Sequence, residues 1–540
     1  MILRQVFLFL TVLALSQTAF AASQSGRPNI LLIVADDLGY ADLGVYGGDI
    51  ETPNIDALAN DGMLFTQFHA APLCSLTRAM LLSGNNNHIA GVANQGRTGA
   101  AGVAITGYEA SLSNRVAPFP RLLQDAGYDT YISGKWHLGG AEHQRPRSAG
   151  FGRSLAMVQG GASHFDSRGF TPTGATYLAN GEVVERPGNQ YSTELFTDTL
   201  IDFIATDKDN GKPFFAYVAY TAPHWPLQAP EEYLDLYKGH YDEGYDALRE
   251  QRFNSLKEAG IIPLDSKLPP RNEDITPWET LSPEQKRRES RKMELYAAMV
   301  DNLDDHIGRL IAYLTENNLY ENTLIVFMAD NGAAGEDFYN GALYTQFTEH
   351  TRATFDNAYD KMGTADSFVS YGPQWAEAGS APFQKYKSYT REGGMVAPMV
   401  IAGKGIAAEG VIDATYTTVM DLAPTFLEIA GAMYPDDGSV KPMLGESMND
   451  FLAGNSDAVH DENYVTILSH RGRSFVRQGR WKIVTTTGPF DESNFELFDI
   501  AADPGEVNNL AAAEPEKLAT LIEIWRTQRE EMGIILPEDL

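Results

Sequence analysis

The chain has 540 residues, with 41 lysines and arginines against 72 aspartates and glutamates, a formal net charge of −31. That acid surplus argues against a nucleic-acid binder, because neutralising phosphates takes an excess of cations. Hydrophobic residues at 43% and charged ones at 21% exclude a disordered chain and a membrane bundle, and the length suits several domains or, equally well, one large α/β domain with a smaller companion.

Residues 1–21 read as a secretory signal peptide: Arg4, an apolar run from Val6 to Leu15, then the small-x-small pattern Ala19-Phe20-Ala21. The run is short for a spanning helix. An exported protein is expected, periplasmic or secreted, with no membrane association after cleavage. From Asn29 to Ala35 (NILLIVA) the apolar run is continuous, as in a parallel strand buried on both faces. Residues 54–62 have helical spacing, and 120–127 (PRLLQDAG) read as a helix stopped by glycine. Strands are expected at 128–133 (YDTYIS), 213–220 (PFFAYVAY) and 323–329 (TLIVFMA), with a long amphipathic helix at 292–317. Alternating strands and helices predict a largely parallel sheet between helices.

Residues 231–286 are charged and weakly periodic and read as a surface insertion. Residues 335–382 form a long aromatic-rich stretch without a clear period, as in lids and binding loops. After about residue 450 short strands cluster at 464–468, 474–477, 481–485 and 496–498, before a helix at 514–531. The expected organisation is a signal peptide at 1–21, an α/β domain at 22–450 and a small α+β domain with an antiparallel sheet at 451–540.

Ligands of open parallel sheets bind beyond the carboxyl ends of the strands. Asp36 and Asp37 follow NILLIVA, and Asp330 and Asn331 follow TLIVFMA. One such pair alone reads more readily as a helix cap or turn former. Two pairs at equivalent strand ends, without His or Cys beside them, point to a hard cation such as Ca²⁺ or Mg²⁺. Lys135 and His137 follow YDTYIS, and His224 follows PFFAYVAY. Cations beside carboxylates at one rim describe a site for a tetrahedral oxyanion. His164 and His306 are expected to be structural.

The chain has a single cysteine, Cys74, so it forms no internal disulfide. In Cys74-Ser75-Leu76-Thr77-Arg78 it precedes a helical run, which places it at a helix N-terminus with Arg78 one turn on. A nucleophile beside a guanidinium suits attack on a sulfate or phosphate ester.

These segments resemble the sulfatase family, within the alkaline-phosphatase-like superfamily, and most closely bacterial arylsulfatases of the Pseudomonas type. The resemblance runs through RPNILLIVADDLGYADLGVYGG, TPNIDALANDGMLFTQFH, CSLTRAMLLSG, GYDTYISGKWHLG, YTAPHWPLQAP, VFMADNG, YGPQWAEAG, YKSYTREGG and ELFDIAADPGEVNNLA. It implies an alkaline-phosphatase-like fold and a sulfuric ester hydrolase of small aryl or alkyl sulfates. It implies that a maturation enzyme oxidises Cys74 to formylglycine, whose hydrate is the nucleophile. Asp36, Asp37, Asp330 and Asn331, with residue 74, would hold Ca²⁺, with Mg²⁺ as the other hard cation. Arg78 would support the diol, and Lys135 and Lys387 would bind sulfate oxygens. His137 would assist the hydroxyl that is later deprotonated, and His224 would bind substrate and protonate the leaving alcohol or phenol. The sulfated diol would then lose sulfate through its second hydroxyl, which a serine lacks. The family's conversion motif reads Cys-x-Pro/Ala-x-Arg, and here Leu76 stands at its third place.

Two other readings are a phosphoester or phosphonate hydrolase on the same scaffold and, with Cys74 unconverted, a non-catalytic binder of sulfate esters. Phe338, Tyr339, Tyr344, Phe347, Tyr371 and Trp375 either line an apolar mouth for an aryl group or pack their own loop.

Overall fold

The computed structural model describes residues 26–96, 105–337 and 345–536. The expected signal peptide and Phe338, Tyr339 and Tyr344 lie outside them. No helix among the described residues is long and apolar enough to cross a membrane.

The amino-terminal strands are β1 (Asn29–Ala35), β2 (Gly62–Phe65), β3 (Phe68–His69), β4 (Asp129–Lys135), β5 (Arg153–Met157), β6 (Tyr177–Ala179), β7 (Glu182–Val184) and β8 (Phe214–Ala219). β9 (Thr323–Ala329), β10 (Met399–Gly403), β11 (Val411–Asp413) and β12 (Thr417–Thr418) follow. Ten of these form one sheet in the order β11-β2-β10-β9-β1-β8-β4-β5-β6-β7, and β12 pairs with β3. The centre, from β9 through β1, β8 and β4 to β5, is parallel. Every residue of β1, β8 and β9 is buried, as both-face covering by helices requires. β10 runs antiparallel between β9 and β2, which makes the sheet mixed.

The covering helices include α1 (Pro53–Asn60), α2 (Cys74–Ser83), α3 (Phe119–Asp125), α4 (Ser192–Asp207), α5 (Gly244–Glu258) and α6 (Pro283–Glu316). α6 starts nine residues before the expected 292. Pro283 takes its first position, and Ser282 and Gln285 cap it reciprocally. The capping signal lay in a stretch whose charges masked the helical period.

The segment 231–286 is no simple surface insertion. It contains α5, whose Arg252 is fully buried and donates to Asp42 and Asp49. Its charged residues hide the period because two of them, Arg249 and Arg252, face inward. The long stretch after 335 also holds helices, α7 (Thr345–Thr354) and α8 (Gly372–Gly379). Trp375 is fully buried against Tyr241, Tyr245 and Trp278. Tyr371 stacks on Tyr296 with ring centroids 4.7 Å apart. These two aromatics belong to the core, not to a substrate mouth. Phe347 packs edge-on against Phe170.

Near the carboxyl terminus β13 (Val465–His470), β14 (Arg473–Gln478), β15 (Trp481–Thr485) and β16 (Glu496–Asp499) form a separate antiparallel sheet. Strand alternation divides its side chains between two cores. Ile467, Val476, Ile483 and Leu497 pack with Leu521 and Trp525 of α9 (Pro515–Met532). Leu468, Phe475, Val484 and Phe498 join the main core.

This docking carries charge. Lys482 on β15 is fully buried between Glu392 Oε1 at 2.6 Å and Glu506 Oε1 at 2.9 Å. Glu392 also takes His69 Nε2 at 2.8 Å. Lys482→Ala leaves two buried carboxylates without their cation. It is expected to lower stability by about 3–5 kcal/mol, read as a shift of the urea midpoint, and an unchanged midpoint would show that the network carries no net stabilisation.

Candidate active site

The adjacent strands β9, β1, β8 and β4 are parallel, so their carboxyl ends share one edge. β1 delivers Asp36 and Asp37, β9 delivers Asp330 and Asn331, β4 ends on Lys135 with His137 two residues on, and β8 leads to His224. Asp37 (φ 67°) and His137 (φ 58°) both adopt the left-handed conformation. Non-glycine residues take it rarely, and such outliers gather at functional sites. Here it turns the chain sharply as it leaves each strand.

α2 brings Cys74 to the same place. Leu73 is its N-cap, and Gly84 (φ 63°) closes the helix through an N–H bond to Met80. Cys74 is buried with its Sγ 3.7 Å from Asp37 Oδ1. Arg78, one turn later, is also buried. Its Nε and Nη2 donate to Asp330 Oδ2 at 3.1 and 2.8 Å, and Nη1 donates to the Lys135 carbonyl at 2.9 Å. Arg78 thereby ties the helix to two strand ends.

The lysines complete the cluster. Lys135 Nζ lies 2.9 and 2.6 Å from the Asp36 oxygens. Lys387 Nζ donates to Asp37 Oδ2 at 2.8 Å. The loop carrying Lys387 is pinned by the Ser388 N–H to the Pro72 carbonyl and by Arg473 Nη1, from β14, to the Ser388 carbonyl. All ten predicted site residues, Asp36, Asp37, Cys74, Arg78, Lys135, His137, His224, Asp330, Asn331 and Lys387, are brought to this one strand edge.

His224 Nδ1 lies 2.7 Å from the Trp225 carbonyl, which only accepts, so Nδ1 carries a proton. Nε2, 3.4 Å from Asp37 Oδ2, is the nitrogen left for a ligand. The His224 carbonyl accepts from His164 Nε2 at 3.0 Å, and His164 Nδ1 takes the Ser192 hydroxyl at 2.6 Å. His164 is structural, as expected, and what it holds is the backbone of a site residue. His306 lies on α6 beside Arg309, at 2.8 Å.

Burial and crowding set the electrostatics. Burial, with Asp330 and Asp37 adding repulsion against the pull of Lys135, pushes Asp36 up to about 8. Burial raises the Cys74 thiol well above its usual range despite Lys135 and Lys387. Burial, then Lys135 and Arg78, pushes His137 well below its ordinary value; burial, then Lys387 and Lys135, does the same to His224.

Three buried carboxylates at one point call for a cation. The Asp36, Asp37, Cys74 and His224 ligand atoms all lie within 4.8 Å of one another, the one such group of four among the described residues. Asn331 Nδ2 donates to Asp37 Oδ1 at 2.7 Å, while the buried Asn331 Oδ1 accepts no hydrogen bond. An orphaned amide oxygen beside carboxylates is the donor set of a hard dication. The residues fit a divalent metal.

Some site residues were not found from the sequence. Gly160 and Gly161 follow β5 at the same edge. A Cβ at 160 would lie 2.5 Å from His137 Cε1, and one at 161 would lie 2.7 Å from His224 Cε1. Only glycine lets that loop press on both imidazoles. The strand-end rule would have found the pair had β5 been recognised. Glu336 lies 3.2 Å from Lys387 Nζ in a stretch with no periodic signal.

Carboxylates arranged for a dication, flanked by two lysines, an arginine and two imidazoles, define a metal-assisted hydrolase for esters of a tetrahedral oxyanion. The sulfatase family model matches residues 28–432, and a model for the C-terminal region of N-sulphoglucosamine sulphohydrolase matches 383–530. The chain is 40% identical to an arylsulfatase of Klebsiella aerogenes over 440 residues, covering 79% of this chain and 92% of the relative. It is 37% identical to an uncharacterized sulfatase of Schizosaccharomyces pombe over 536 residues, 96% of each chain. The crystal structure of Ps i-CgsB in complex with k-i-k-neocarrahexaose shares the fold, with a TM-score of 0.65, 24% identity, and coverage of 93% and 92%. The chain belongs to the sulfatase family. It is an enzyme, a sulfatase that hydrolyses sulfate esters on an alkaline-phosphatase-like fold.

Proposed function

We propose that the enzyme cleaves small aryl or alkyl sulfate monoesters at this strand edge, with residue 74 converted from cysteine to formylglycine. The convergence of buried Cys74 on Asp37, with Lys135 and Lys387 around it, carries this reading. The likeness to an arylsulfatase supports the substrate class. A thiol held well above its usual range is a poor nucleophile, which favours an oxygen nucleophile at the same position. The hydrate of the aldehyde supplies that oxygen and a second hydroxyl for release.

Asp36, Asp37, Asp330, Asn331 and residue 74 would hold the metal, Ca²⁺ in this reading, which when bound draws negative charge from the sulfate oxygens. Lys135 and Lys387 swing from their carboxylates to the sulfate oxygens and orient the ester. Arg78 fixes Asp330 and the first turn of α2, so that residue 74 meets the ester in one geometry. His137, pressed by Gly160, takes the proton of the releasing hydroxyl. With Nδ1–H committed to the Trp225 carbonyl, His224 takes up a second proton at Nε2 when the negatively charged ester is bound, and it delivers that proton to the leaving oxygen.

Cys74 is 1% exposed and Leu76 is fully buried. A maturation enzyme must therefore reach residue 74 before α2 docks. Residue 76 lies in the first helical turn, where proline and leucine are both accommodated. The apolar run at residues 6–15 and the Ala19-Phe20-Ala21 pattern support export to the periplasm or beyond.

Leaving-group dependence tests the acid. His224→Ala is expected to slow an alkyl sulfate by about 10²–10⁴-fold and 4-nitrophenyl sulfate far less, because nitrophenolate leaves without a proton. Equal slowing of both would remove His224 from that role.

A further inference from the structure

Lys387 is shared by two carboxylates. Its Nζ lies 2.8 Å from Asp37 Oδ2 and 3.2 Å from Glu336 Oε1. Glu336 comes six residues after Asp330, on the loop leaving β9, and its side chain is 10% exposed. Its second oxygen, Oε2, is buried and accepts no hydrogen bond. The chain thus places a largely desolvated and half-satisfied anion beside a lysine that binds anions. That placement is costly, and it works against anion binding in general.

Charge matching gives it a use. Among the described residues, the buried cations around residue 74 are Arg78, Lys135 and Lys387, and the carboxylates are Asp36, Asp37, Asp330 and Glu336. Three positive against four negative charges leave −1. With a dication among the aspartates, which holds all three ionised, the pocket carries +1. The imidazoles of His137 and His224 stand outside this count, because protonating either one raises the pocket charge equally with and without Glu336 and leaves unchanged the unit that Glu336 subtracts. A sulfate monoester carries one negative charge and matches a pocket of +1. A phosphate monoester carries two at neutral pH and would match +2, the value without Glu336.

Resting on the sulfate-ester reading above, we propose that Glu336 is a specificity-determining residue, whose carboxylate sets the pocket charge so that singly charged sulfate esters are selected over doubly charged phosphate esters. It acts in two separable ways. Through Lys387 it positions a binding group, which affects both substrates alike. Through its own charge it repels the bound anion, and that repulsion is twice as large for a dianion as for a monoanion. The ratio of the two substrates therefore isolates the charge from the positioning.

The experiment compares the full-length, metal-loaded enzyme with Glu336→Gln, which is isosteric, and Glu336→Asp, which keeps the charge. Metal content is measured for all three. Equilibrium binding is read by calorimetry with benzenesulfonate and phenylphosphonate, a pair of similar shape that no hydrolase of esters cleaves, at a pH where the phosphonate is doubly charged. Glu336→Gln is expected to tighten phenylphosphonate over benzenesulfonate by about tenfold or more, and Glu336→Asp to leave their ratio within about twofold. The ratio of kcat/KM for 4-nitrophenyl phosphate to that for 4-nitrophenyl sulfate is expected to rise in parallel for Glu336→Gln. Equal change for both ligands would reduce Glu336 to a positioning residue for Lys387, and no change in either would remove it altogether; both overturn the proposal. A wild-type enzyme that turns over no sulfate ester would overturn the functional reading instead, while the binding ratio would still judge Glu336.

Discussion

Asp37→Asn is expected to strip the divalent metal and lower kcat/KM for an aryl sulfate by about a thousandfold or more. Asp37 is the centre of the cluster. Its oxygens face Cys74, Asn331, Lys387 and His224, and its N–H lies 3.3 Å from Asp330 Oδ1. One charge lost there removes a proposed metal ligand and the resting partner of Lys387 together. Asparagine is the informative replacement because it keeps the shape and tolerates the left-handed backbone at φ 67°. Alanine would add backbone strain to the chemical defect. The metal-free variant is expected to melt no lower than the metal-free parent. Repulsion from Asp37 and Asp330 helps to push Asp36 up to about 8, and removing one of those charges relieves it. Metal content by emission spectrometry, steady-state rates and thermal melts check the three parts. Full metal and full activity in the variant would overturn the assignment of Asp37.

Cys74→Ser is expected to yield an enzyme that reacts once and stops. A serine hydroxyl at the start of α2 is aimed as the proposed nucleophile is and is expected to take the sulfuryl group from an activated aryl sulfate. It has no second hydroxyl through which to expel sulfate. The expected record is a burst of nitrophenolate no larger than the enzyme concentration and a gain in protein mass equal to one SO₃ group. Sustained turnover at the parent's rate would show that residue 74 is not the nucleophile. The parent enzyme needs a matching measurement on the peptide around residue 74. Trypsin serves poorly, since no lysine or arginine lies between Arg27 and Arg78, whereas a protease that cuts at aromatics releases a short fragment after Phe68. A carbonyl at position 74 is expected in protein exported by its own host. A thiol that alkylates completely would rule out the formylglycine.

Much of the site was legible because a parallel sheet translates chain order into position. Once NILLIVA and TLIVFMA are read as buried parallel strands, the residues after each must meet at one edge. Asp36, Asp37, Asp330 and Asn331 follow from that rule alone, and Lys135, His137 and His224 from its extension to β4 and β8. Lys387 belongs to no strand end. It was reached through resemblance, and its place depends on contacts with Pro72 and with Arg473 of the carboxyl-terminal sheet.

Where the reading of 231–286 failed, charge was buried. Period-based reading treats a charged residue as an exposed one, and in 231–286 that is wrong for Arg252, fully buried between Asp42 and Asp49. The first turns of α6 were missed for a different reason: residues 284–289 are charged or polar and exposed or half-buried, so they carry no apolar period to read. Tyr371 and Trp375 were open between mouth and core, because an aromatic residue carries no mark of which surface it meets.

The sequence by itself determined the parallel centre of the sheet, the strand ends that bear the carboxylates and the helix that carries Cys74, all of them local patterns of apolar period and punctuation. Tertiary structure decided which charges face each other. It set Lys482 between Glu392 and Glu506, held His224 in place through His164, and put Glu336 against Lys387. Those pairings join residues far apart in the chain. Pair energies depend on distance and on the water excluded around them, and neither is written in local order.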